Sequence, residues 1–358
     1  MTTPLPQSEA DTDAPRHAQR GVWLLAALAL LAALLLAMGL ATGSEGFAPL
    51  QAMRDDPVMR QIVMDVRLPR TLGALLAGAL LGLAGCVAQG LFRNPLADPY
   101  LLGSASGAAL GVTLALLGLV QAAGEGGAGG VLVHALAMHA GLTGAAFLGA
   151  LAAVMVTLLL ARGALASLQL LLAGVITGVV LGALRDLILQ ARPALLQAMQ
   201  SYALGSTAFV SWQGCAIMAL TLLVCVLVAW ALARGLDGLS LGADTARSLG
   251  LPLGAVQAAL VVVLALATGA AVAQCGLLAF VGLAAPHLVR ALVMVRHRQL
   301  LVLSTAMGAV LLASADWLAR WLIAPQELPV SVLTALLGGS YLLGLMLRRR
   351  RRSVEGMR

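Results

Sequence analysis

Between Thr71 and Phe92 the chain runs without one charged residue. As a helix this stretch rises about 33 Å, enough to cross a hydrocarbon core of about 30 Å. Arg67 and Arg70 bracket a Leu-Pro pair just ahead of it, and Arg93-Asn94-Pro95 breaks the chain just after. A second uncharged run opens at Pro99, rich in glycine, alanine and serine. The pattern predicts a charged entry, a membrane crossing, a proline-broken hairpin and a return crossing.

The rest of the chain repeats the theme. Of 358 residues, 61% are hydrophobic and 10% charged, against about 25% charged in soluble domains. A net charge of +7 might invite nucleic acid, but there is no lysine, and the 22 basic residues are arginines spread between apolar runs. That is how topology signals are arranged, not a basic binding face, and nucleic acid is excluded as a partner. Cys86, Cys215, Cys225 and Cys275 all lie in apolar runs without CxxC spacing, as buried small hydrophobes do.

Residues 1–20 are polar and proline-bearing and are expected to form a disordered tail, ahead of one membrane domain over 21–350. The first span is the uncharged run Gly21–Ser44, longer than a signal-peptide core. Glu45 to Asp65 reads as a polar loop. After the opening hairpin, spans are expected near 100–123, 135–161, 165–190 and 209–233. The apolar run from Ser248 to Val289 exceeds one crossing and divides near Gln274–Gly276 into spans seven and eight. Spans nine and ten fall near 300–322 and 328–347. The fold class is thus an all-α polytopic membrane protein with ten transmembrane helices.

Placing the N-terminus in the cytoplasm puts fifteen arginines on the inside and seven on the outside. The positive-inside rule selects that orientation, and ten spans return the five-arginine run Arg348–Arg352 to the same side.

No catalytic constellation is present. His134 and His139 lack an HExxH setting, and no GxxxxGK[ST] sequence is available to hold ATP. No ionisable residue falls at the middle of any span, which argues against an ion-coupled secondary transporter. The loop Leu241-Gly-Ala-Asp-Thr-Ala-Arg-Ser-Leu-Gly-Leu251, bounded by Gly242 and Gly250, fits a short surface helix that docks on a cytoplasmic partner.

Seven stretches occur in order: RLPRTLGALLAGALLGLAG, QGLFRNPLADPYLLGSASGAALG, LLLAGV, LGADTARSLGLP, FVGLAAPHLVR, ADWLAR and ELPVSVLTALLGG. Together they resemble the FecCD-type permeases of bacterial ABC importers for iron–siderophores, heme and cobalamin, over roughly Arg67 to Arg350. The resemblance implies a cobalamin-permease-like (type II) importer fold in the bacterial inner membrane, with both termini cytoplasmic. It implies a homodimer, two ATP-binding subunits that use ATP and Mg²⁺, and a periplasmic substrate-binding protein. The chain would be a transport subunit and not an enzyme, surrounded by lipid, with no cofactor or metal of its own.

Residue by residue, the resemblance assigns docking of the binding protein to Arg67, Arg70 and Arg320, whose planar guanidinium forks suit carboxylates. It assigns ATPase coupling to Leu241, Gly242, Asp244, Arg247, Leu249 and Gly250. A cytoplasmic gate maps to Asn94, Leu96 and Ser167, and the pathway lining to Gly174, Thr177, Gly178 and Gly182. Two departures from the family pattern are Tyr100 after NPLADP and Gly338-Gly339-Ser340-Tyr341 near the last helix. The cargo that the resemblance implies is an iron chelate, with heme placed ahead of a ferric siderophore and cobalamin on overall resemblance and on the lack of polar residues in span five.

Overall fold

The computed structural model describes residues 14–43, 46–47, 56–123, 131–161, 167–248 and 250–355. Apart from a minimal antiparallel hairpin, Thr42–Gly43 against Gly46–Phe47, regular structure among these residues is helical. In chain order the helices are α1 (Ala14–Ala41), α2 (Pro57–Leu91), α3 (Ser104–Ala123), α4 (Val131–Leu160) and α5 (Ser167–Ala191). Then come the short α6 (Leu196–Ala203), α7 (Trp212–Ala231), and the short α8 (Ala233–Ser240) and α9 (Ala243–Ser248). The chain closes with α10 (Leu253–Cys275), α11 (Val281–Leu292), α12 (His297–Trp321) and α13 (Val330–Glu355).

Seven of these helices are long and apolar enough to cross a membrane: α1, α2, α4, α5, α7, α10 and α12. Shorter apolar helical stretches in α3, α11 and α13 complete the ten expected spans. Three boundaries differ from the sequence reading. Helix α1 begins at Ala14, inside the stretch expected to be disordered, while residues 1–13 lie outside the described residues. Helix α2 begins at Pro57, within the expected polar loop, because Asp56 caps it by accepting the Val58 N–H at 2.8 Å and Pro57 is preset for a first turn. A π-type turn at Val63–Arg67 joins that overhang to the apolar span.

The third difference is span eight. Helix α11 covers 12 residues, about 18 Å, too short to cross alone. The remainder is carried by a non-helical segment, Gly276–Phe280, with Gly276 at φ 70° and Phe280 at φ 65°. A left-handed phenylalanine is strained, and here it is held by its packing against Gly338.

Helix α2 is the centre of the bundle. Its apolar window is 83% buried, against 17% for α5. Glycines make that possible. A Cβ at Gly78, Gly82 or Gly85 would collide with the backbone oxygens of Gly308, Ser304 and Gly282 respectively. Small residues at helical spacing let backbones approach, the packing that replaces hydrophobic drive inside lipid. Gly107 and Gly149 join α3 to α4 in the same way.

Candidate transport path and its two end faces

Helix α2 carries Arg70 where its apolar span opens, and Arg93 follows just past its end; these two residues mark the two ends of the bundle. At the Arg70 end lies a buried ionic knot. Arg70 donates to Asp316 Oδ1 from Nε and Nη2, both at 3.2 Å, and to Glu327 Oε1 at 2.8 Å. Arg320 donates to Asp316 Oδ2 at 2.7 Å and to the Gly39 carbonyl at 3.0 Å, and the Thr207 hydroxyl also donates to Asp316. Asp316 is 0% exposed, Arg320 3% and Arg70 8%. Two arginines and two carboxylates balance, the condition under which buried charge is tolerated.

This placement changes the reading of the three arginines expected to dock a partner. Arg70 and Arg320 have their guanidiniums engaged inside the chain. Arg67, half-buried, donates to the Leu40 carbonyl at 3.0 Å and pairs with no carboxylate among the described residues. The missed signal was in ADWLAR itself: Asp316 precedes Arg320 by four residues and so sits on the same helix face.

At the Arg93 end, Asn94 Oδ1 accepts the Leu96 N–H at 2.9 Å, and both residues are exposed in one turn. The third expected gate residue, Ser167, opens α5, and its side chain lies outside the described residues. Helix α9 falls within the stretch expected to couple to the ATPase, Leu241–Leu251. Gly242 (φ 108°) and Gly250 (φ 77°) stand either side of α9 in the conformation that favours glycine, and Leu241 is exposed. Leu249 and the side chains of Asp244 and Arg247 lie outside the described residues. So do the side chains of His134 and His139 in α4.

A link that sequence reading missed ties this region to α12. Asp237 of α8 accepts from the His297 backbone N–H at 3.2 Å and faces its Nδ1 at 2.7 Å. An acid from another helix thereby caps the α12 N-terminus. Nearby, Gln89 of α2 donates to the Leu283 carbonyl at 3.1 Å and accepts from Arg290.

The residues expected to line the pathway divide between a packed seam and an open position. Gly174 packs on the Leu101 and Leu102 backbone, Gly178 faces Ser106 and Gly103, and Thr177 is buried. Those residues form the seam between α5 and the start of α3. Only Gly182 has open space at its Cβ position. The reason is the same small-residue packing that builds the core. The face α5 leaves open is apolar and bulky: Leu172, Val175, Ile176, Val179 and Val180.

The connector after α2 also carries an acidic residue, Asp98. After Arg93 (φ 50°) turns the chain, the connector climbs back along α2 instead of staying at its end. Pro99 lodges against Gly282, which faces the Leu81 carbonyl, and Leu81 stands about 15 Å up α2 from Leu91. Asp98 therefore sits well inside the bundle. Its Oδ1 caps the Pro99–Leu102 turn through the Tyr100 N–H at 2.8 Å. Tyr100, the residue at which the family pattern is broken, donates its hydroxyl to the Leu278 carbonyl at 3.3 Å. Beside Asp98 opens a recess of about 290 Å³, walled by Ala105, Leu277, Ala279 and Phe280 and reaching Ala203 and Ser331.

A bundle of apolar helices with a buried charge knot at one end and two short helices packed at the other is the architecture of a polytopic membrane protein. Comparison with known proteins places it. The profile of the FecCD transport family matches residues 24–348, and the chain belongs to that family. It is 36% identical to the hemin transport system permease HmuU of Yersinia pestis, over 91% of this chain and 96% of that one. It is also 36% identical to the vitamin B12 import system permease BtuC of Salmonella paratyphi A, over 95% and 99% of the two chains. A solved inward-facing ABC transporter of metal-chelate type superposes with a TM-score of 0.78 at 30% identity, covering 91% of this chain and 98% of its own. The protein is an ABC importer permease of this family.

Proposed function

We propose that two copies of this chain enclose a path through the bacterial inner membrane for an iron chelate, with heme the first cargo to be tested. Transport would run from periplasm to cytoplasm, driven by two ATPase subunits that bind at Leu241–Leu251, around α9, and fed by a periplasmic binding protein at the Arg70 end. The observation that carries this reading is the open face of α5, bulky and apolar over several turns. Such a wall suits a large planar or caged chelate, whereas a bare ion needs rings of oxygen ligands. The excess of arginine at the Arg93 end supports placing that end in the cytoplasm. A hemin permease and a vitamin B12 permease are equally similar to this chain, so the cargo must be decided by experiment.

The deciding experiment is uptake into proteoliposomes containing the permease, its ATPase and its binding protein. ATP-dependent accumulation of hemin is expected. Accumulation of cyanocobalamin or a ferric siderophore without hemin would overturn the heme assignment, and no ATP-dependent uptake of any of them would overturn the chelate reading.

A further inference from the structure

We propose that the recess beside Asp98 is a polar subsite on the transport path, where the carboxylate takes a cationic or hydrogen-bond-donating group of the passing molecule. The inference rests on the importer reading and adds to it a residue and a ligand chemistry.

Three observations converge. First, Asp98 contrasts with the other deep acid. Asp316 is satisfied by Arg70, Arg320 and Thr207, whereas the Asp98 side chain takes one bond, from the Tyr100 amide, and has no cationic partner among the described residues. A carboxylate carries about four acceptor positions, so most of its capacity is unused. Second, that capacity borders open space: Asp98 lines the recess, whose other walls are small or apolar. At about 290 Å³ the recess is at the small end of ligand pockets. It fits one peripheral substituent of a chelate and not the whole molecule. Third, the recess extends from mid-depth to Ser331 at the start of α13, whose hydroxyl donates to the Leu204 carbonyl. The Arg70 end of the bundle is therefore where a substituent would enter. The left-handed Phe280, braced on Gly338, fixes one wall. An ammonium, amide or hydroxyl group would be drawn in, and an anionic edge would be turned away.

The test uses the full permease–ATPase complex in lipid nanodiscs and reads the charge of the recess directly. Ser331→Cys places a thiol on its rim, while the four native cysteines are buried. Reaction rates are measured with a trimethylammonium-ethyl and a sulfonatoethyl methanethiosulfonate, each normalised to its rate with free 2-mercaptoethanol. The normalised preference for the cationic reagent should be about tenfold and should fall to near one in Ser331→Cys/Asp98→Asn. Asparagine keeps the turn cap, so this variant removes charge without removing the structural bond. Ala105→Cys serves as a second probe, so that a disturbance of α13 by the first cannot decide the outcome. No cationic preference at either site, or a preference unchanged by Asp98→Asn, overturns the proposal, and neither result depends on the importer reading. Labelling of Ser331→Cys should also stop uptake of whichever of hemin, cyanocobalamin or ferrichrome the unlabelled complex accumulates. Undiminished uptake after complete labelling would remove the subsite from the path.

Discussion

Asp316 stands one helical turn before Arg320 and closes on it at 2.7 Å, while its other carboxylate oxygen takes both Nε and Nη2 of Arg70. Residues 246 positions apart are thereby fastened at the point where α2 and α12 leave the bundle. Removing one member of such a buried set leaves the others uncompensated, at a cost of about 3–5 kcal/mol. Asp316→Ala should therefore lower the thermal stability of the detergent-solubilised protein sharply and reduce its yield. Thermal stability matching the unmodified protein would mean that the knot is not what holds these helices together.

The same knot separates the roles of the three arginines. Arg67→Glu should fold normally and weaken binding-protein docking by about 1 kcal/mol per contact, less at high salt. Arg70→Glu and Arg320→Glu should instead fail at assembly. Binding measured by surface plasmon resonance on folded Arg67→Glu complexes checks the first part; affinity equal to that of the unmodified protein would exclude Arg67 from docking.

Gly174 and Val179 lie five residues apart on α5 but on different faces. Gly174→Leu would push into the Leu101–Leu102 backbone and should destabilise the fold, by about 1–3 kcal/mol or more. Val179→Trp points outward and should leave stability intact while obstructing uptake. Equal transport by Val179→Trp and the unmodified complex would show that the open face of α5 does not line the path.

At the other end, Asp244→Arg or Arg247→Glu should reduce co-purification of the ATPase while membrane insertion continues. Asp237→Ala should act differently: the ATPase stays bound, but α12 loses a cap worth about 0.5–2 kcal/mol. Its expected signature is ATP hydrolysis with diminished uptake, measured on the same proteoliposomes. Hydrolysis and uptake that stay in their original ratio would contradict the assignment.

The helical order and the family were legible in the sequence because membrane spans announce themselves by uncharged length, and Arg93-Asn94-Pro95 or Arg192-Pro193 mark where they stop. What was not legible depends on direction in space. The glycines of α5 were read as an open wall because composition cannot say which face they occupy; α3 takes that face. Arg70 and Arg320 were read as free because Asp316 and Glu327 reach Arg70 only after α2 and α12 are packed. The depth of Asp98 was not legible, since nothing in Asn94-Pro95-Leu96-Ala97-Asp98-Pro99 says that the connector doubles back into the bundle. Span eight looked continuous in hydropathy, but Gly276–Phe280 is not helical.

Helix α12 is gripped at both extremities, by Asp237 at His297 and by Arg70 through Asp316. About 29 Å of uninterrupted helix lies between the two grips, without a proline to serve as a joint. A strut of that kind does not absorb displacement along its length. If the short helices at the Arg93 end are shifted, the shift arrives at Asp316, and the Thr207 loop and Glu327 are carried with it. The two ends of the bundle are in this way joined by one stiff member.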